Sequence, residues 1–229
     1  MRLVCLFCIT IWGIFFRVTA QTESLEVEFV PHWQGRVLDF GLSYDPSISP
    51  GFHIETLKFY VSAVELWRKG KKVYSEEKSY HLIEASTPEK RSFRLDLPAD
   101  LIFDELQFCL GIDSLTNVQG AQGGDLDPRY GMYWTWQSGY IHFKLEGTAA
   151  ECPTPKHRFT YHLGGYQAPH AAYTTLALDV LPQAEISIGF DLGQVFQSID
   201  LPSTYRIMRP GPQAAEMIRD LSLSFSVLP

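Results

Sequence analysis

Seven histidines are the side chains in this sequence best suited to chemistry. His81 lies in YHLIE, His162 in YHLGG and His32 in FVPHWQG, each flanked by aromatic or aliphatic residues. A neutral imidazole in such surroundings is a good ligand for copper or zinc. A single histidine of this kind is more often a hydrogen-bonded structural residue. His53, His142, His157 and His170 lie in more polar or turn-rich contexts and rank lower. Nucleophile motifs are absent: there is no G-x-S-x-G, H-E-x-x-H or P-loop, and no C-x-x-C after the first twenty residues.

The second candidate is GIDSLTNVQGAQGGDLDP, which offers oxygen donors at Asp113, Asn117, Asp125 and Asp127. Several such oxygens on a flexible loop suit Ca²⁺, although the spacing is not that of an EF-hand. Asp125, Asp127 and Glu146 could also supply the paired carboxylates of a glycosidase. The plainer reading is that Asp127-Pro128 starts a turn and Glu146 is a solvated strand residue. The densest aromatic patch is MYWTWQSGY; in an extended conformation Trp134 and Trp136 fall on one face. Two neighbouring indoles can be core, a sugar-stacking platform or a redox site, with core the default. Cys109 and Cys152 are the only cysteines beyond the first twenty residues. A bridge between them would close a loop of about 43 residues, worth roughly 4 kcal/mol in the chain-entropy account. Two buried free thiols or a soft-metal site are the alternatives.

The elements that must position these residues are strands. Leu25, Val27 and Phe29 alternate with Glu26 and Glu28, and Phe93, Leu95 and Leu97 with Arg94 and Asp96. Ile141, Phe143 and Leu145 alternate with His142, Lys144 and Glu146, and Leu221, Leu223, Phe225 and Val227 with three serines. Period two marks half-buried strands. Gln213 to Asp220 reads as a short helix. Strands spaced evenly along the chain, without repeats or long linkers, predict an all-β chain: a single two-sheet β-sandwich over residues 21–229 with little helix. The glycine-, aspartate- and tryptophan-rich stretch from Gly111 to Tyr140 interrupts the pattern. A loop of that length is either functional or a surface excursion plugged by tryptophan.

The 229 residues are 45% apolar and 14% aromatic, which excludes a disordered chain. The formal charge of −7 argues against a nucleic-acid or anionic-membrane partner. Residues 1–20 read as a secretory signal peptide: a basic start, a 14-residue apolar run and Val18-Thr19-Ala20 before Gln21. That run is too short to span a bilayer comfortably, and no later stretch could do so, so no transmembrane segment is expected in the mature chain. Export makes a disulfide possible.

The stretches LKFYVSAVEL, YHLIEA, LGIDS, GGDLDPRYGMYWTWQSGYIHFKLEG and FTYHLGG together resemble the MbnP-like copper-binding domain family. The resemblance runs across nearly the whole chain after residue 20, and LDPRYGMYWTWQSGYIHFKLEG is its most specific piece. It implies an exported, non-catalytic β-sandwich of the periplasm or cell surface that binds one copper ion through histidines. It also implies a tryptophan oxidised to kynurenine by a partner di-haem enzyme of the MauG or cytochrome c peroxidase kind. The matching positions are His32, His81 and His162, with Trp134 and Trp136 as the family's W-x-W. Trp33, adjacent to His32, competes as the modified residue. The alternatives are a metal-free ligand- or carbohydrate-binding module built on Trp134 and Trp136, and a glycosidase.

Overall fold

The computed structural model describes residues 22–43, 51–136, 139–181 and 183–229. The signal peptide expected over 1–20 lies outside the described residues. The strands are β1 (Thr22–Trp33), β2 (Arg36–Val37), β3 (His53–Arg68), β4 (Lys71–Ser75), β5 (Tyr80–Glu84), β6 (Ser92–Pro98), β7 (Glu105–Leu110), β8 (Tyr133–Trp134), β9 (Gly139–Thr148), β10 (Arg158–Gly164), β11 (Thr174–Asp179), β12 (Glu185–Asp191), β13 (Arg206–Ile207) and β14 (Phe225–Val227). The helices are α1 (Ser114–Gln119), α2 (Leu192–Gln197) and α3 (Pro212–Ser222).

They form the two sheets that the alternation predicts. One runs β14–β12–β1–β2, with β6 also paired to β1. The other runs β11–β7–β3–β9–β10–β13, with β4 and β5 on β3 and β8 on β9. The inward positions of both sheets meet in an aromatic core. Phe29 of β1 packs edge-on to Phe59 of β3 and Phe108 of β7, with ring centroids 5.4 and 5.7 Å apart. Phe59 also stacks on Phe143 at 5.4 Å. Such edge-to-face and offset pairs add to the burial itself, each worth about 1 kcal/mol.

Two expectations change. The serine-alternating tail is not one long strand: Leu221 belongs to α3, Leu223 is 82% exposed, and only Phe225–Val227 pairs with β12. The helix wins because Ala214, Ala215, Met217, Ile218 and Leu221 recur at helical spacing and bury together. The stretch from Gly111 to Tyr140 is not a bare excursion either. It carries α1 and β8 and lays a second, smaller core of Ile112, Leu126, Met132 and Trp134 over Tyr60, Tyr140 and Ile141. Tyr60 alternates with Phe59, so this second core lies on the sheet face opposite the first.

Buried hydroxyls and one asparagine tie that layer down. Tyr60 donates to the Asp125 carbonyl at 3.0 Å, and Tyr140 to the Leu126 carbonyl at 3.1 Å. Asn117 accepts from the Tyr140 amide at 2.9 Å and donates to the carbonyls of Ile112 and Asp113. It also reaches Nε2 of His142 at 3.3 Å, while Nδ1 of His142 donates to the Ala172 carbonyl at 2.7 Å. These partners make His142 a neutral imidazole, and complete burial pushes its pKa down to about 4.

Candidate functional site

The structure places the three predicted histidines on three strands of two sheets. His32 sits on the outward face of β1, where its Nδ1 donates to the Val30 carbonyl at 2.9 Å. His81 of β5 pairs its Nε2 with Glu76 at 2.7 Å and stacks flat on Phe93 at 3.8 Å. His162 of β10 pairs its Nε2 with Glu146 at 2.7 Å. Phe59 of β3 has Ile83 of β5 on one side and Phe143 of β9 on the other. Strand β10 lies beyond β9, so His81 and His162 are three strand spacings apart, roughly 14 Å. Among the described residues no group of three or more His, Cys, Asp or Glu is arranged to hold a metal ion.

His162 nonetheless has company that the other two lack. It lines a cleft of about 350 Å³ with Glu146, Thr160, Tyr205, Arg206 and Met208. Met208 follows β13, whose parallel pairing of Ile207 with Tyr161 sets it beside β10. Glu146 accepts from Nε2–H, and that bond is the main reason its carboxyl is held down to about 2. No described hydrogen bond claims Nδ1 of His162. One ring nitrogen fixed by a carboxylate and the other free is the usual arrangement of a metal-ligating histidine. The Met208 thioether is a soft donor that suits Cu(I), although in this structure it accepts from Nε–H of Arg206 at 3.1 Å, a bond that copper would have to displace.

Trp134 stands over the same strand, β10, beside a different cavity. It pairs with Gly139 in the short β8–β9 ladder. Its six-membered ring lies over Gly164, two positions along β10 from His162 and therefore on the same face. A Cβ at Gly164 would stand 2.9 Å from Trp134 Cζ3 and 2.4 Å from the Tyr140 carbonyl oxygen, so only glycine leaves room for the indole. Trp134 is 4% exposed, and its buried Nε1–H has no acceptor among the described residues. A buried donor without a partner costs about 1–3 kcal/mol and calls for an explanation. A cavity of about 300 Å³ opens beside it, lined also by Tyr166, His170 and Pro210. Trp136, 5.7 Å from Trp134 between ring centroids, is 63% exposed. The two indoles therefore do not form one exposed platform. Trp33 is core, packed on Phe52 and Phe196 at 4.7 and 5.8 Å.

The remaining candidates have structural employment. Asp113 caps α1, accepting from the Thr116 amide at 2.9 Å, and Asp125 accepts from the Leu82 amide at 2.9 Å. Asp127 caps the turn at Arg129, and Asn117 is spent as described. The oxygens proposed for Ca²⁺ are thus divided among backbone amides, and the same commitments hold Asp125 and Asp127, with Glu146 on His162. Cys109 and Cys152 are both free and buried, one of the alternatives left open by the sequence. Cys109 alternates with the inward Phe108 and lies by Ser62, whereas Cys152 is in the inter-sheet core, so the sheet separates them. Burial pushes the Cys109 thiol up to about 11. Sequence reasoning missed Met208, whose position depends on a pairing no local pattern announces.

A family model described as MbnP matches residues 22–210. No curated protein matches the chain. Among solved structures, MbnP from Methylosinus trichosporium is similar at 17% sequence identity with a TM-score of 0.60, covering 80% of each chain. At that identity the likeness speaks for the fold.

Proposed function

From the premise that this chain belongs to the MbnP family, we propose that it is an exported, non-catalytic copper-binding protein of the periplasm or cell surface. The observation that carries the reading is the one cleft that His162 and Met208 both line. An imidazole nitrogen and a thioether form a donor pair that favours Cu(I) over hard cations. Bound there, copper would be stored or handed on rather than turned over. Glu146 orients the His162 ring.

The reading extends to the tryptophans. Trp134 is the residue we assign to oxidation to kynurenine, by a di-haem partner of the MauG kind. Trp136 stands between it and solvent, in ring contact with it. The product amine would replace the orphaned indole N–H. Export fits the apolar leader. Among the described residues no helix is long and apolar enough to cross a membrane.

The test is Cu(I) competition against a chromophoric chelator, with intact mass on protein coexpressed with a di-haem partner. One copper per chain and a gain of about 4 Da are expected, the gain lost in Trp134→Phe. His162→Gln should abolish stoichiometric copper, and Met208→Leu should weaken it. His32→Gln and His81→Gln should leave it intact. Copper retained in His162→Gln, or lost only in the other two, would overturn the assignment of this cleft.

A further inference from the structure

On the far side of Met208 a groove of about 780 Å³ runs past Trp136, Arg206, Arg209 and the first turn of α3. Its chemistry differs from that of the copper cleft. Arg206 gives its Nε–H to Met208 Sδ at 3.1 Å. Neither Arg206 nor Arg209 has a carboxylate partner among the described residues. Seven of the other fifteen Lys and Arg among the described residues are ion-paired, whereas both guanidiniums that line this groove lack a counter-charge. Gly211, Pro212, Gln213 and Ala214 also line the groove, and no side chain caps this end of α3. Its unspent amides add to the positive field that the arginines set up. The same groove is lined by the 63% exposed ring of Trp136, which offers a flat apolar face.

We propose that this groove is a binding site for a small molecule that carries an oxyanion on a flat ring. The guanidinium forks of Arg206 and Arg209 take the oxyanion. The ring lies against the Trp136 indole. Charge alone would not need the indole, and stacking alone would not need two unpaired arginines; their placement in one groove selects a ligand with both features. Trp136, Arg206 and Arg209 are not copper ligands, but Arg206 also bonds the Met208 thioether and lines the copper cleft, so the two readings are separated by His162→Gln, which touches none of the three.

The probe is 2-naphthoate, titrated into the mature chain and followed by the indole N–H signals in two-dimensional NMR. The Trp136 signal should move in a saturable way while the Trp33 signal stays still. Arg206→Gln/Arg209→Gln and Trp136→Ala should each weaken binding at least tenfold, with unchanged circular dichroism. Raising salt from 0.1 to 0.5 M should weaken it several-fold, since the contact is a surface charge pair. The neutral isostere 2-naphthalenemethanol should bind at least tenfold less well. His162→Gln should lose copper and keep naphthoate. No movement of the Trp136 signal, equal binding in the arginine variant, or inorganic phosphate binding as tightly as naphthoate would overturn the proposal.

Discussion

Gly164→Ala is the sharpest probe of how the scaffold makes the site. The added methyl would sit 2.4 Å from the Tyr140 carbonyl oxygen and 2.9 Å from Trp134 Cζ3, where ordinary contacts begin near 3.4 Å. The glycine is in extended strand backbone, so the effect is steric and not a matter of φ. The indole can tilt, but the Tyr140 carbonyl belongs to the paired backbone of β9 and cannot retreat by about 1 Å without loosening β9 from β10. Overpacking of this kind costs about 1–3 kcal/mol, and a fixed backbone neighbour puts this case at the upper end, about 3 kcal/mol. For a chain of this size that lowers Tm by about 6–12 °C. Calorimetry on the variant should show the drop, and Cu(I) competition should show weakened binding because loosening β9 from β10 shifts His162 against Glu146. Gly123→Ala is the control: nothing lies within 4 Å of the place its Cβ would take, and its φ of −95° suits any residue. A Gly164→Ala protein with wild-type Tm and wild-type copper affinity would refute the claim that the indole occupies the space glycine leaves.

Acid should act in two windows. His142 is neutral when folded, with its pKa down at about 4, so the unfolded chain takes up a proton that the folded one refuses. That stability is complete above about pH 6.5 and falls by roughly 3 kcal/mol as pH drops to 4; His142→Gln should flatten this slope in urea titrations across those values. Glu146, held at about 2, contributes above its ordinary 4.5 and loses that contribution as pH falls from there to 2. Because water reaches the pair and screens it, the loss is about 1–2 kcal/mol. Glu146→Gln should remove that lower step. Both thiols should resist alkylation in the native protein, and iodoacetamide should add two carbamidomethyl groups once it is unfolded, as free buried cysteines require. A mass two hydrogens short of the dithiol form would contradict this.

The sandwich was legible because its strands obey period two: Leu25, Val27 and Phe29 face in, as do Phe59, Phe143 and Phe108. The second core was not, because Ile112, Leu126 and Met132 are scattered among glycines and aspartates with no period. They bury only because the outer face of β9 and Tyr60 need a cover. That cover also explains why His142, read as an outward strand residue, is the most deeply buried histidine. His162 was legible as a candidate from its apolar flanks, but so were His32 and His81. What separates them is Met208, delivered by a parallel pairing of residues 46 positions apart along the chain, Tyr161 and Ile207. The oxygen-rich loop resembled a cation site because capping and chelation draw on the same side chains. Burial and backbone amides decided between them.

The parallel pairing of β1 with β12, which runs from Glu26 opposite Glu185 to His32 opposite Asp191, bears on how the chain reaches this state. During synthesis β1 can find β6 once residues 92–98 are made. Its other edge has no partner until some 160 residues after it have followed. Closing so long a loop before any contact rewards it makes this ladder a late, slow event. For much of its early life the molecule therefore carries an open, apolar strand edge, Val27 and Phe29 included. That is the form a holdase chaperone binds and a threading pore accepts, and it is where aggregation would begin in a host that makes the chain faster than it can finish it.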